Sequence, residues 1–261
     1  MLERPVVFID SGIGGLPYLV RFREKLPCED VAYCADTEHF PYGSRPADDV
    51  RDIVVSLAGK IIERLSPKMF VIACNTASVS ALARLRSIFD VPFVGVVPAV
   101  KPAASLSKKK TIGIMATDRT VEEAYTEDLI RQFADDCKIL RYADRGIVEF
   151  VEYRMLDSTP RERMDIAHRA ARILGDADTV VLACTHFLHL RDELVRGFGP
   201  GVNLVDSVEG VVRQSVRVLQ QIKGNTRGEG KADFYITGGR ESTGSYRKYA
   251  AANGMDYKGT L

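Results

Sequence analysis

Short β-branched runs alternate with helical patterns along almost the whole chain, and few folds accommodate that alternation. The runs fall at residues 6–9, 31–34, 69–73, 93–97, 111–115, 139–142, 179–183, 202–205 and 234–237. Between them apolar residues recur at helical spacing: Val50, Ile53, Val54, Leu57, Ile61, Ile62 and Leu65 form one continuous face. A helix is expected from Thr120, where Thr120 and Glu123 make a capping box ahead of Ala124, Tyr125, Leu129 and Phe133. Another is expected from Thr159, with Pro160 at the first helical position and Glu162 completing a box. This pattern specifies parallel sheets with helices on both faces.

The chain also repeats itself. Residues 69–76 (Met-Phe-Val-Ile-Ala-Cys-Asn-Thr) and 180–186 (Val-Val-Leu-Ala-Cys-Thr-His) are each an apolar strand ending in Ala-Cys and then hydroxyl or amide residues. Two further strands precede each copy, ending near Asp10 and Cys34 in the first and near Ala116 and Ala143 in the second. The expected fold is therefore α/β, with two pseudo-symmetric domains, each a mostly parallel sheet flanked by helices, and the active site in the cleft between them. The halves should join around residues 97–101 and 207–210. A helix at 211–222, a polar loop at 223–231 and the strand at 234–237 follow.

Composition removes several classes of function. The 261 residues carry 36 Lys and Arg against 35 Asp and Glu, a net charge of +1, which leaves no broad basic footprint for nucleic acid. The dense basic run Lys108-Lys109-Lys110 reads as a solvated loop. No apolar stretch approaches the roughly 20 residues a bilayer demands, so no membrane partner is expected. Residues 1–4 run straight into the first strand without a signal-peptide core. The five cysteines (28, 34, 74, 137 and 184) include no CxxC pair. A disulfide framework or zinc site is not expected, and a reducing cytoplasm is.

Chemistry concentrates at the strand ends. Cys74 should lie at the carboxyl end of a strand and the start of a helix, the edge at which open parallel sheets bind ligands. Backbone N–H groups and the helix dipole there favour carboxylates and thiolates. Alone, such a cysteine is as readily a small buried hydrophobe. Cys184 takes the same position in the second half, followed by Thr185 and His186. Two thiols facing one cleft from opposite halves suit a reaction at a stereocentre, one removing a proton and the other returning one to the opposite face. Two packing cysteines left by an old duplication are the alternative. Asp10-Ser11-Gly12-Ile13-Gly14-Gly15 is a glycine-rich βα turn whose spacing does not fit a dinucleotide fingerprint. There Asp10 could orient or activate a thiol and Ser11 could donate to a carboxylate. Residues 36–44 leave the second strand as a Pro-Tyr-Gly turn, with His39 a loop residue. His186 and His189 lack a third metal ligand in any recognisable motif, so no metal is expected. Tyr125, Tyr142 and Phe150 read as core.

Taken together, Asp10-Ser-Gly-Ile-Gly-Gly15, Asp36-Thr with Pro41-Tyr-Gly-Ser44, Ala73-Cys-Asn-Thr-Ala-Ser78 and Ala183-Cys-Thr-His186 resemble the cofactor-independent glutamate racemases. The likeness runs from the first strand through Ser207. It implies two α/β domains, residues 1–98 with a returning tail 208–261, and residues 99–207. It implies interconversion of D- and L-glutamate with no cofactor and no pyridoxal phosphate, supply of D-glutamate for peptidoglycan, and a homodimer. By resemblance Cys74 and Cys184 are the acid/base thiols, tuned by Asp10, His186 and an acidic residue upstream of Cys184. Glu152 is preferred for that last role over Glu149. Ser11, Tyr42, Gly43, Asn75, Thr76 and Thr185 match substrate-holding positions. The chain departs from the family pattern at Glu38-His39-Phe40, at Phe187-Leu188-His189 and at Gly239.

Two other readings remain. One is a racemase or isomerase of the same superfamily acting on aspartate, a hydantoin or maleate. Related aspartate racemases tend toward Glu after the second Cys-Thr, where this chain has His186. The other is a non-catalytic amino-acid-binding protein, against which the paired cysteines argue, since a pure binder needs no thiol.

Overall fold

Val6–Asp10 (β1), Val31–Ala35 (β2), Met69–Ile72 (β3) and Phe93–Gly95 (β4) are runs of apolar residues, buried almost throughout. Parallel strands covered on both faces require such runs. The computed structural model describes residues 2–117, 124–222, 224–225, 228–238 and 243–261. It divides into two compact units, Met1–Val96 with Val208–Leu261, and Val97–Ser207. Val96 N, at the end of this stretch of the first unit, donates to Ser78 Oγ at 2.9 Å.

In the first unit the helices Leu16–Lys25 (α1), Ala47–Leu65 (α2) and Asn75–Ile88 (α3) connect these strands. After the second unit the chain adds Val208–Ile222, Ala232–Ile236 (β9), Thr243–Ala252 and Asp256–Thr260 (β10). The six strands pair in parallel in the order β10-β9-β2-β1-β3-β4. Val50, Val54, Leu57, Ala58 and Ile61 of α2 are buried against the sheet, with Ile53, Ile62 and Leu65 at the edge of the same core.

The second unit contains Val100–Leu106 (α4), Thr111–Ala116 (β5), Ala124–Phe133 (α5), Lys138–Ala143 (β6), Arg145–Tyr153 (α6), Pro160–Ile173 (α7), Thr179–Leu182 (β7), Arg191–Phe198 (α8) and Asn203–Val205 (β8). Its four parallel strands run β6-β5-β7-β8. Position for position this is the order β2-β1-β3-β4 of the first unit. Thr159 and Glu162 close the expected capping box at the start of α7, Glu162 N donating to Thr159 Oγ1 at 3.3 Å and Thr159 N to Glu162 Oε2 at 2.8 Å.

The box expected at Thr120 and Glu123 lies outside the described residues. Elsewhere the structure departs from the sequence expectations at several points. Tyr125 is 39% exposed rather than core, because α5 buries Thr126 and Ile130 instead. The strand expected at 93–97 stops at Gly95, and the joint at 97–101 already contains the start of α4. The strand β10 and the helix Thr243–Ala252 were not expected.

Candidate active site

From β1 the chain steps out to β2, then returns to place β3 on the other side of β1. The crevice at a parallel sheet's carboxyl edge opens where such a reversal occurs. In the first unit that point holds the ends of β1 and β3. Asp10, the last residue of β1, is fully buried. Its Oδ1 accepts from Ser11 N at 2.5 Å and from Ser11 Oγ at 3.3 Å. Ala73 N donates to Ile9 O at 2.7 Å, which draws the end of β3 alongside.

Cys74 follows in extended conformation (φ −136°, ψ 127°) as the N-cap of α3. Asn75 and Thr76 form the first turn of that helix, where backbone N–H groups have no intrahelical acceptor. Asn75 is 3% exposed, and neither its Nδ2 nor its Oδ1 has a hydrogen-bond partner among the described residues. A buried polar group left unpaired costs about 1–3 kcal/mol. An amide in this state beside a thiol is matched to a polar ligand.

Tyr42 lies in a single 3₁₀ turn, Tyr42–Ser44, with half-buried Gly43 beside it. The Tyr42 hydroxyl is buried and donates to Asp36 Oδ2 at 2.5 Å. Burial, first, and the charge of Asp36, next, push its pKa well up, with smaller contributions from Cys74 and Asp10. It therefore remains a hydrogen-bond donor at any physiological pH.

Cys184, two residues beyond β7, takes nearly the same conformation as Cys74 (φ −130°, ψ 132°) and opens a 3₁₀ segment, Thr185–Leu190. Thr185 and His186 are each 2% exposed. His186 Nε2 lies 2.9 Å from Glu152 Oε2, whose side chain is wholly buried. Burial of His186 opposes a charged ring. Hydrogen bonds to Cys184 and Glu152, and the charges of both, outweigh burial and raise its pKa to about 10. At neutral pH His186 is thus an imidazolium held between a sulfur and a carboxylate, with both ring nitrogens donating. Glu152 reaches it because α6 turns Ile147, Val148, Val151 and Glu152 inward. Glu149 points elsewhere: it is half exposed and accepts from Arg145 Nε at 2.9 Å.

The first unit therefore gathers Asp10, Ser11, Tyr42, Gly43, Cys74, Asn75 and Thr76 on its strand ends. The second gathers Cys184, Thr185, His186 and Glu152. Sequence reasoning passed over Asp36. That carboxylate is 1% exposed and accepts from Tyr42, from Thr237 Oγ1 at 2.5 Å and from His39 Nδ1 at 3.0 Å. The available signal was the repeat, since Ala35-Asp36 and Ala143-Asp144 end equivalent strands. Among the described residues no group of three or more His, Cys, Asp or Glu is arranged to hold a metal ion, and no helix is long and apolar enough to cross a membrane.

Residues 22–215 match the family model for Asp/Glu/hydantoin racemase. The chain is 43% identical over 217 residues to the glutamate racemase of Sphingopyxis alaskensis, covering 81% of each protein. It is 37% identical over 261 residues to that of Treponema pallidum, covering 97% of this chain and 95% of the relative. The Escherichia coli glutamate racemase, solved in complex with L-glutamate and the activator UDP-MurNAc-Ala, superposes with a TM-score of 0.89. It is 32% identical, over 99% of this chain and 98% of that one.

Proposed function

Since the chain belongs to the Asp/Glu/hydantoin racemase family, we propose that it interconverts L- and D-glutamate by proton transfer at the α-carbon between Cys74 and Cys184. The observation that carries this reading is the matched pair of strand ends. Two buried cysteines stand at the equivalent strand of two sheets of the same order, with backbone angles that agree within about 6°.

In one direction a thiolate takes the α-proton and becomes a thiol, leaving the electron pair on the substrate carbon. The second thiol gives its proton to the opposite face of that carbon and becomes the thiolate. The return reaction exchanges the roles. The imidazolium of His186 stabilises the Cys184 thiolate by charge and hydrogen bond, and Glu152 holds the imidazole charged. Asp10 acts on Cys74 differently, from the end of β1: its carboxylate orients and activates the thiol as an acceptor for the thiol's proton. Asn75, Thr76 and Ser11 supply donors for the substrate carboxylates, with Thr185, Tyr42 and Gly43 completing the binding set. The same reading has the enzyme working without a cofactor in the cytoplasm as a homodimer, with its D-glutamate consumed in peptidoglycan.

Glutamate is favoured over aspartate by His186, which stands where aspartate racemases tend toward Glu. Replacing either cysteine by serine tests the mechanism, because a hydroxyl is far harder to ionise than a thiol of reference pKa about 8.5. Cys74→Ser and Cys184→Ser are expected to stay folded and nearly lose racemisation. Near-normal turnover in either variant would overturn the two-thiol reading.

A further inference from the structure

Tyr33 lies on β2 with no solvent exposure, and nothing in the proton-transfer scheme uses it. Its hydroxyl does not stop in the core. It donates to Gly12 O at 2.8 Å and accepts from Gly15 N at 3.0 Å, bridging both ends of the glycine-rich turn that follows Asp10 and Ser11. The ring beneath is fixed by stacking on Phe234 of β9, with centroids 5.2 Å apart.

The turn is held from a second side. A Cβ on Gly15 would come within 2.6 Å of Ala73 Cβ and 2.8 Å of Ala73 O, and within 3.1 Å of the Tyr33 hydroxyl. Gly15 is therefore wedged between the Tyr33 hydroxyl and the residue that precedes Cys74. Three strands meet here: β1 brings Asp10, β3 brings Cys74, and β2 brings the hydroxyl that sets the turn between them.

We propose that Tyr33 is a positioning residue whose hydroxyl pins the Gly12–Gly15 turn and so sets Asp10 and Ser11 in register with Cys74. The proposal rests on the assignment of Cys74 and Asp10 to proton transfer. A phenol suits this place better than a smaller hydroxyl. Only an aromatic reaches from the buried face of β2 to a backbone turn while its ring packs in an apolar core. Pairing both Gly12 O and Gly15 N also removes the cost of burying two backbone groups unsatisfied.

Tyr33→Phe tests this, with Phe234→Leu as its companion. The first removes the hydroxyl and keeps the stacked ring. The second weakens the packing under Tyr33 and leaves the hydroxyl in place. Two readouts are taken on the full-length protein: kcat and KM for glutamate, and the pH dependence of iodoacetamide alkylation at Cys74 and Cys184, followed by peptide mass spectrometry. Tyr33→Phe is expected to lower kcat about 10- to 100-fold, as loss of reactive geometry does, with a smaller change in KM. The midpoint of Cys74 alkylation shifts by about one unit as the Asp10 carboxylate moves relative to the sulfur, and Cys184 keeps its wild-type profile. Phe234→Leu is expected to melt at lower temperature with kcat and both profiles near wild type. Unchanged kcat and an unchanged Cys74 profile in Tyr33→Phe would overturn the proposal. So would equal losses in the two variants, or a Tyr33→Phe protein that fails to fold, since the hydroxyl would then serve stability alone. Alkylation does not depend on turnover, and the wild-type assay run alongside separates failure of this proposal from failure of the racemase assignment.

Discussion

Replacing Glu152 by Gln removes a charge from the buried set around His186 and changes little else, because the two side chains are nearly isosteric. In the native protein burial disfavours the imidazolium, and Cys184 and Glu152 together hold its pKa at about 10. An opposite charge within hydrogen-bonding distance moves a pKa by about 1–3 units. With the amide in place the burial penalty remains and one of the two supports is lost, so the His186 pKa is expected to fall by about 1–2 units. Both side chains are 3% exposed or less, so solvent screens little of this. At about 1.4 kcal/mol per unit, the native pair is worth roughly 1.4–2.7 kcal/mol of stability. The sign follows from the raised pKa. That stability is fully present below 6.5, the reference value for histidine, and is lost as pH climbs through about 10. The difference in stability between wild type and Glu152→Gln should therefore shrink from about pH 8 upward, as the variant imidazole discharges first, and vanish above about pH 10. In activity, the loss should grow between pH 7 and 9, as the variant imidazole discharges and ceases to balance the Cys184 thiolate. Carbon-13 NMR of labelled histidine, with His186→Gln to assign the signal among four histidines, reads the pKa directly. A His186 resonance titrating at the same pH in variant and wild type would refute this reasoning, as would an activity loss independent of pH.

Further outcomes follow from the same geometry. Thr76→Ala removes a donor from the first turn of α3 and is expected to cost roughly 1.5–3 kcal/mol, a fall of one to two orders of magnitude in kcat/KM for glutamate; an unchanged kcat/KM would place Thr76 outside the site. Asp10→Asn and His186→Asn are expected to skew kcat toward opposite directions of the reaction, with KM compensating because the equilibrium is fixed; equal losses or skews of one sign in direction-resolved kinetics would refute the pairing of each partner with its own thiol. Gly15→Ala drives a Cβ into Ala73 and its carbonyl, and overpacking of this kind costs about 1–3 kcal/mol; a thermal melt matching wild type would contradict the wedge.

The alternation of strands and helices was legible because parallel strands buried on both faces need unbroken apolar runs. The strand-end repeat was legible because β3 and β7 are two such runs with the same ending. The strand β10 was not: Asp256, Tyr257, Lys258 and Thr260 line the edge of a sheet with alternate residues exposed, and such a segment reads as loop. Tyr125 is the neighbour of Thr126, which α5 turns inward with Ile130, and one residue of rotation about a helix moves a side chain from core to solvent. Asp36 escaped for a different reason. A carboxylate in a Pro-Gly loop looks solvated until tertiary structure brings Tyr42, Thr237 and His39 onto it. Glu152 and Glu149 share one helix, and what separates them is the tertiary contact: Glu152 is buried with Val148 and Val151 and meets His186, whereas Glu149 pairs with Arg145 at the surface.

Incubating the purified protein with L-glutamate in deuterated buffer, with a chelator and no added cofactor, tests the central claim most directly. Circular dichroism follows the loss of optical activity, and proton NMR follows deuterium at the α-carbon. Two thiols exchanging protons with solvent predict decay of the signal to zero, with deuterium entering both enantiomers, and none of this with Cys74→Ser or Cys184→Ser. Glutamate that binds without exchanging its α-proton, or decay seen with aspartate and not with glutamate, would contradict the account.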